Sequence, residues 1–239
     1  MLNKKVALVT GGGRGIGRAA AALIARRSAH VIVCARTASQ LDETRRIILD
    51  QGGSVRSYTC DLGEEKQVAD MFSEVKKEFG RLDILVNNAG LYSYSLVENT
   101  ALEDFINTFR INCAGAFLCC REAFPLMKEN GGSIVNVSSL SGVKGAEKFP
   151  GFASYAVSKF GVIGLTEVLA VEGKEYGIRV NAVCPGAVDT EMLEQAAPNL
   201  YPRLTPRQVA ETILFLASPA SSGITGAAVE LYSHLLEPE

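Results

Sequence analysis

Two stretches of this 239-residue chain carry residues typed and spaced for chemistry. The first, Tyr155-Ala156-Val157-Ser158-Lys159, puts a phenol and an ammonium four residues apart, on one face of a helix. A phenol with a pKa of about 10 is a poor base at neutral pH, and a neighbouring cation favours phenolate and lowers that value. Such a pair can give a proton to a carbonyl oxygen or take one from an alcohol. Alone the spacing is weak evidence, because a Tyr-x-x-x-Lys pair arises readily by chance. Its weight comes from its place after an apolar strand, a Ser-Ser turn and a glycine-bearing loop.

The second stretch is Thr10-Gly11-Gly12-Gly13-Arg14-Gly15-Ile16-Gly17, directly after the apolar run Val6–Val9 and before an alanine-rich helix from Arg18. A glycine-rich strand-to-helix turn lets the backbone approach a pyrophosphate, and the helix N-terminus adds free N–H groups and a positive dipole end. The end of the second strand then selects the dinucleotide. An acidic residue there accepts an adenosine 2′-hydroxyl, whereas a 2′-phosphate wants cations. This chain has Ala35-Arg36, with Arg14 in the glycine turn as a second guanidinium suited to phosphate oxygens. The expected cofactor is NADP(H).

These groups need a scaffold that brings strand ends together. Short β-branched runs at Val6–Val9, Val31–Cys34, Ser54–Thr59, Ile84–Val86, Ser133–Val137, Arg179–Val183 and Ala228–Leu231 alternate with segments of helical period. That pattern predicts an α/β fold: one doubly wound, parallel, seven-stranded sheet with helices on both faces and a ligand crevice at the carboxyl ends of the strands. Thr37-x-x-Gln40 and Thr205-Pro206-x-Gln208 resemble capping boxes. Gly52-Gly53, Gly80, Gly131-Gly132 and Gly177 sit where helices stop. With no linker, repeat or low-complexity segment, residues 1–239 read as a single domain.

Composition excludes several classes. Hydrophobic residues make up 47% and charged residues 21%, enough apolar mass for a core, and the net charge of −2 is spread without a basic stripe, against nucleic acid as a partner. The N-terminus lacks a signal-peptide pattern, and no run of ~20 apolar residues stands out as a span, so a cytoplasmic protein without a membrane partner is expected. Cys34, Cys60, Cys113, Cys119, Cys120 and Cys184 form no C-x-x-C pair and read as buried free thiols. His30 and His234 are too few and too far apart for a metal site, and no metal is expected.

The glycine spacing, T-G-x-x-x-G-x-G, resembles that of the short-chain dehydrogenases/reductases, and the likeness continues in order over almost the whole chain. The resemblance implies a Rossmann fold and hydride exchange between a nicotinamide cofactor and a carbonyl or alcohol, in the manner of 3-oxoacyl carrier-protein reductases. It places Gly11, Gly15, Ile16 and Gly17 at the cofactor diphosphate and Asp61-Leu62 at the adenine. It places Asn87-Asn88-Ala89-Gly90 near the adenine ribose, and Pro185-Gly186 with Val188 and Thr190 at the nicotinamide amide. It makes Asn112, Ser139, Tyr155 and Lys159 a catalytic tetrad. Ser139 would bond the substrate oxygen, Asn112 would position a water, and Lys159 would also hold the nicotinamide ribose. It further implies a homo-oligomer, dimer or tetramer, packed partly through the helix carrying Tyr155.

Three departures from the family pattern stand out. Ser139 and Tyr155 are a few residues further apart than usual, with the extra length in 145–151. The segment from Glu191-Met192-Leu193 to Thr205, through Ala196-Ala197-Pro198, is a short lid. The chain ends on Glu230-Leu231-Tyr232-Ser233-His234-Leu235-Leu236 instead of a glycine-rich strand exit. A short lid implies an open pocket and a bulky or carrier-attached carbonyl substrate, with steroids, sugars, quinones and small ketones as alternatives; Tyr92, Tyr94, Leu140, Phe149, Phe152 and Met192 are candidate walls or, equally, core or interface residues. The alternative is a catalytically silent NADP(H)-binding regulatory protein, which would have no use for Ser139, Tyr155 and Lys159 together. An enoyl reductase would space its Tyr and Lys more widely.

Overall fold

The computed structural model describes residues 2–196 and 204–232. Ala197 and Pro198 of the lid, and Ser233 to Leu236 with His234, lie outside them.

Seven parallel strands form one sheet: β1 (Val6–Thr10), β2 (His30–Ala35), β3 (Ser54–Thr59), β4 (Ile84–Asn87), β5 (Gly132–Val137), β6 (Ile178–Pro185) and β7 (Ala228–Leu231). Their order is β3-β2-β1-β4-β5-β6-β7. Side chains alternate along each strand, so both faces of the central strands are buried. Ala7, Val9, Val31, Val33, Val86 and Val135 face one core, which is covered by α1 (Gly15–Ala25), α2 (Ala38–Asp50) and α8 (Pro206–Ala217). Val6, Leu8, Ile32, Leu85, Ile134 and Val180 face the other, covered by α3 (Glu65–Phe79), α5 (Gly115–Met127) and α6 (Ala153–Glu172). Helix α4 (Leu102–Phe109) runs into α5 through a π turn, Arg110–Ala114. A short α7 (Glu191–Ala196) follows β6.

The chain leaves β1 towards β2 on one side and returns to β4 on the other. This reversal opens the crevice at the carboxyl ends of β1 and β4. The Thr10–Gly17 turn, Asn88–Leu91 and Ser138–Ser139 all emerge there.

Three expectations are corrected. Helix α1 begins at Gly15, not Arg18, so the last two motif glycines form its first turn. Thr37 precedes α2 without a side-chain cap, because helix and turn are joined elsewhere: Thr44 Oγ1 donates to Gly12 O at 2.9 Å. The Thr205 box does form, with Gln208 N donating to Thr205 Oγ1 at 3.3 Å and Thr205 N to Gln208 Oε1 at 2.8 Å. Finally, one 20-residue helix, α6, is long and apolar enough to cross a membrane by length and composition. One face of it packs on β6 and α4 and buries Lys159, while Val157, Phe160, Val168 and Val171 on the other stay exposed.

Candidate active site

The glycine turn is held from outside. Asn88 Nδ2 donates to Thr10 O (3.0 Å) and Gly11 O (3.2 Å), Thr44 to Gly12 O, and Arg18 Nε to Gly13 O (3.0 Å). With its carbonyls bonded to protein, the turn presents donors rather than acceptors to the crevice. Gly11 has φ +62°, a conformation that favours glycine, and a Cβ on Gly17 would collide with the Gly11 carbonyl. No side chain caps α1 and no acid lies in its first turn, so its leading N–H groups are free for an anion. The cradle fits a dinucleotide diphosphate. Ile16 packs on the core beside it.

Arg36 is exposed just past β2. Arg14 forms an ion pair with Glu191 at the start of α7, so the glycine turn and the lid are joined. At the adenine end, Asp61 Oδ1 accepts from Gly63 N at 2.9 Å, while the Leu62 side chain is in the core, which leaves only its main chain for a ligand. Asn88 N and Ala89 N both donate to Thr10 Oγ1, at 3.0 and 3.1 Å, bolting the end of β4 to that of β1. The Asn88 side chain is thereby spent on the turn itself. A Cβ on Gly90 would lie 3.4 Å from Asn112 Oδ1 and 3.5 Å from Lys159 Nζ, so this segment runs directly against the tetrad.

Pro185 ends β6, and Gly186 N donates to Leu231 O at 3.1 Å. Val188 is buried and bridges to Leu204. Thr190 Oγ1 accepts from Leu193 N at 3.3 Å, and its methyl lies 3.3 Å from where a Gly15 Cβ would be. The expected nicotinamide segment and the glycine turn are therefore neighbours.

The four expected catalytic residues converge beyond them. Ser139 Oγ accepts from Ser141 N at 3.1 Å, and its hydroxyl is near enough to the Tyr155 phenol to favour the phenolate. Lys159, 4% exposed, donates to Val137 O at 2.9 Å, with its Nζ 5.6 Å from the Tyr155 ring centroid. Asn112 sits in the π turn with both amide donors used: Oδ1 accepts from Leu91 N (2.6 Å), and Nδ2 donates to Leu91 O (2.9 Å) and Ser158 Oγ (2.9 Å). The second lone pair of Oδ1 is left to receive a water proton.

Two positioning residues had no separate signal in the sequence. Ser158 relays the Asn112 contact onward by donating to Tyr155 O at 2.7 Å, and Ser138 Oγ donates to Lys159 O at 2.9 Å. Both are serines adjacent to expected site residues, and their bonds appear only once α6 is laid against β5.

Electrostatics reverse one expectation. Burial pushes the Tyr155 phenol up to about 12, opposed by the nearby Ser139 hydroxyl, and Tyr92 adds to the rise. Burial also pulls Lys159 down to about 8, which weakens the cation expected to acidify the phenol. Desolvation dominates both shifts, with Lys159 buried and Tyr155 partly so. The phenol is thus firmly protonated at neutral pH, the state a proton donor requires.

A family model described as short chain dehydrogenase matches residues 5–200. A 3-oxoacyl-(acyl-carrier-protein) reductase of Thermotoga maritima is 37% identical over 239 residues, covering 95% of this chain and 96% of that protein. Among solved structures, a levodione reductase superposes with a TM-score of 0.90 at 29% identity, covering 97% of each chain. An actinorhodin polyketide ketoreductase variant with NADPH gives the same TM-score, identity and coverage.

Proposed function

This chain belongs to the short-chain dehydrogenase family of oxidoreductases, and from that premise we propose that it is a cytoplasmic, NADP(H)-dependent reductase of a carbonyl substrate, free or carrier-attached. Residues 1–239 act as one cofactor-binding and catalytic domain. The observation that carries this reading is the meeting of Ser139, Tyr155 and Lys159 beside the glycine turn.

Bound NADPH supplies the hydride. Gly11, Gly15, Ile16 and Gly17 would hold the diphosphate with main-chain donors, and Arg36 and Arg14, the latter paired with Glu191, would hold the 2′-phosphate. Main chain at Leu62 and Gly90 and the Asp61 carboxylate bound the adenosine; Asn88 and Ala89 hold the turn that faces it. Pro185, Gly186, Val188 and Thr190 flank the nicotinamide. Ser139 orients the carbonyl oxygen, and Tyr155 Oη gives it a proton as hydride reaches the carbon, yielding the alcohol. Lys159 replenishes positive potential behind the phenol, and Asn112 with Ser158 fixes the start of α6 against the Leu91 turn.

NADPH is expected to exceed NADH by at least tenfold in kcat/KM, about 1.4 kcal/mol in transition-state binding. Steady-state rates with both cofactors, on a panel of ketones, 3-oxoacyl thioesters, quinones and sugars, test this. Equal kinetics would remove the role given to Arg36, and NADPH binding without turnover of any carbonyl would favour the regulatory reading.

Helix α6 leaves Val157, Phe160, Val168 and Val171 exposed in a row, with Phe117 of α5 also exposed. An apolar stripe of this kind marks a contact face, and we assign it to a homo-oligomer. Light scattering should give a dimer or tetramer mass; a monomer at micromolar concentration would rule the assignment out.

A further inference from the structure

We propose that this enzyme selects neutral carbonyl compounds whose ketone lies in or beside an apolar ring, through an aromatic wall of which the Tyr155 phenol is the inner edge. The inference rests on the carbonyl reductase reading above and narrows its substrate.

Phe152 is the hub of the wall. Its ring centroid lies 5.3 Å from that of Tyr92, 6.1 Å from Tyr94, 5.9 Å from Phe149 and 6.4 Å from Tyr155. Tyr92 also meets Tyr155 at 5.7 Å. The pairs with Tyr92, Tyr94 and Tyr155 are edge-to-face, at 72°, 87° and 78°, the arrangement that aromatic quadrupoles favour.

Two loops build this surface, the one after β4 and the lengthened one before α6. Ser95 N donates to Gly151 O at 3.0 Å, and Gly151, at φ +81°, lies so close under the Tyr94 ring that no side chain fits. The extra length between Ser139 and Tyr155 is folded by Lys148, whose ammonium donates to Val143 O (2.7 Å), Ala146 O (2.8 Å) and Leu140 O (3.3 Å). Its three donors are spent inside the loop, so the cation is not offered to a substrate.

Residues 91–96 and 149–156 contain no charged side chain. These two stretches therefore offer an anionic or phosphorylated substrate no charge of their own, and desolvating such a charge against them is costly. Tyr94 remains 60% exposed and Phe149 47% exposed, although their inner edges are packed. A flat apolar ring laid on them removes that surface from water and adds ring–ring geometry. A straight acyl chain gains area only, and pays to fix its rotatable bonds.

The test compares 2-tetralone with 2-decanone, levulinate and acetonyltrimethylammonium as substrates of the full chain with NADPH. The kcat/KM for 2-tetralone should exceed each of the others by about tenfold or more. The exposed-ring variants Phe149→Ala and Tyr94→Ala, chosen because truncating Phe152 would endanger the fold, should each lower the tetralone-to-decanone ratio severalfold. Saturation-transfer NMR should show tetralone receiving magnetisation from the protein, weakened in Phe149→Ala. Equal turnover of decanone, or preference for the quaternary ammonium ketone, overturns the inference and leaves the reductase reading standing. Turnover of none of the four overturns that reading instead. Absence of transfer to tetralone then overturns the ring contact as well.

Discussion

Replacing Tyr155 with phenylalanine lowers kcat by about 10²-fold or more while NADPH binding persists. The substitution removes one oxygen and keeps the ring, so the contacts with Tyr92 at 5.7 Å and Phe152 at 6.4 Å remain. Thermal stability should therefore hardly move, and the loss reads on chemistry. The phenol is suited to the role because burial holds it up to about 12, so it keeps its proton at neutral pH until an alkoxide-like oxygen develops beside it. The Ser139 hydroxyl lies near the same phenol, so the donor and the oxygen-orienting hydroxyl share one side of the site. Because the lost interaction exists mainly in the transition state, kcat and kcat/KM should fall together. Single-turnover mixing of the variant with NADPH and ketone separates this from slow product release, and a fully active Tyr155→Phe would refute the assignment.

The central strands were legible because a parallel strand buried on both faces is a continuous apolar run, whereas the edge strands β3 and β7, which match to the residue, were legible from alternating exposure. Strand and helix ends were not, since they are set by partners. Gly15-Ile16-Gly17 has poor helix propensity, yet α1 starts there because the turn's carbonyls are held by Asn88, Thr44 and Arg18. Thr37 and Thr205 look equally good as caps, but only Thr205 forms its box. The Gln40 side chain, the intended partner of Thr37, packs against Gly13 instead.

Arg179 shows the same limit. It binds the carbonyls of Leu216, Ser218, Ser221 and Ile224 and so ties β6 to the end of α8, a contact no local spacing announces. The tetrad was legible as an order of motifs along the chain. Its electrostatics were not, because the burial that moves Lys159 fully and Tyr155 in part exists only after α6 packs on β5 and β6. The Arg14–Glu191 pair was invisible for a like reason, joining the first turn to a helix that starts at the far end of β6.

Lys159→Met should make the protein more stable and nearly inactive at once. Lys159 is 4% exposed, and among the described residues no carboxylate is paired with it and its ammonium has one carbonyl bond, to Val137. Burial depresses it to about 8 against an ordinary 10.5, with Cys184 and Cys113 opposing the shift. Below pH 8 it is charged both folded and unfolded, and the folded state bears the full desolvation cost. Between about 8 and 10.5 the unfolded chain binds the additional proton, so wild-type stability rises with pH across that window. Methionine fills similar space with no charge, so at pH 7 the variant should gain on the order of 1–3 kcal/mol. That gain should shrink between pH 8 and 10.5, as urea denaturation at several pH values can measure. Activity moves the other way. Without a cation behind the phenol the proton transfer loses electrostatic support, and kcat should fall by about 10²-fold or more. For the same reason wild-type reduction should decline as pH passes 8, where the ammonium is lost, well before Tyr155 itself ionises near 12. A Lys159→Met protein that is less stable at pH 7 would show that the Val137 hydrogen bond outweighs desolvation. One that keeps its rate would take Lys159 out of the chemistry.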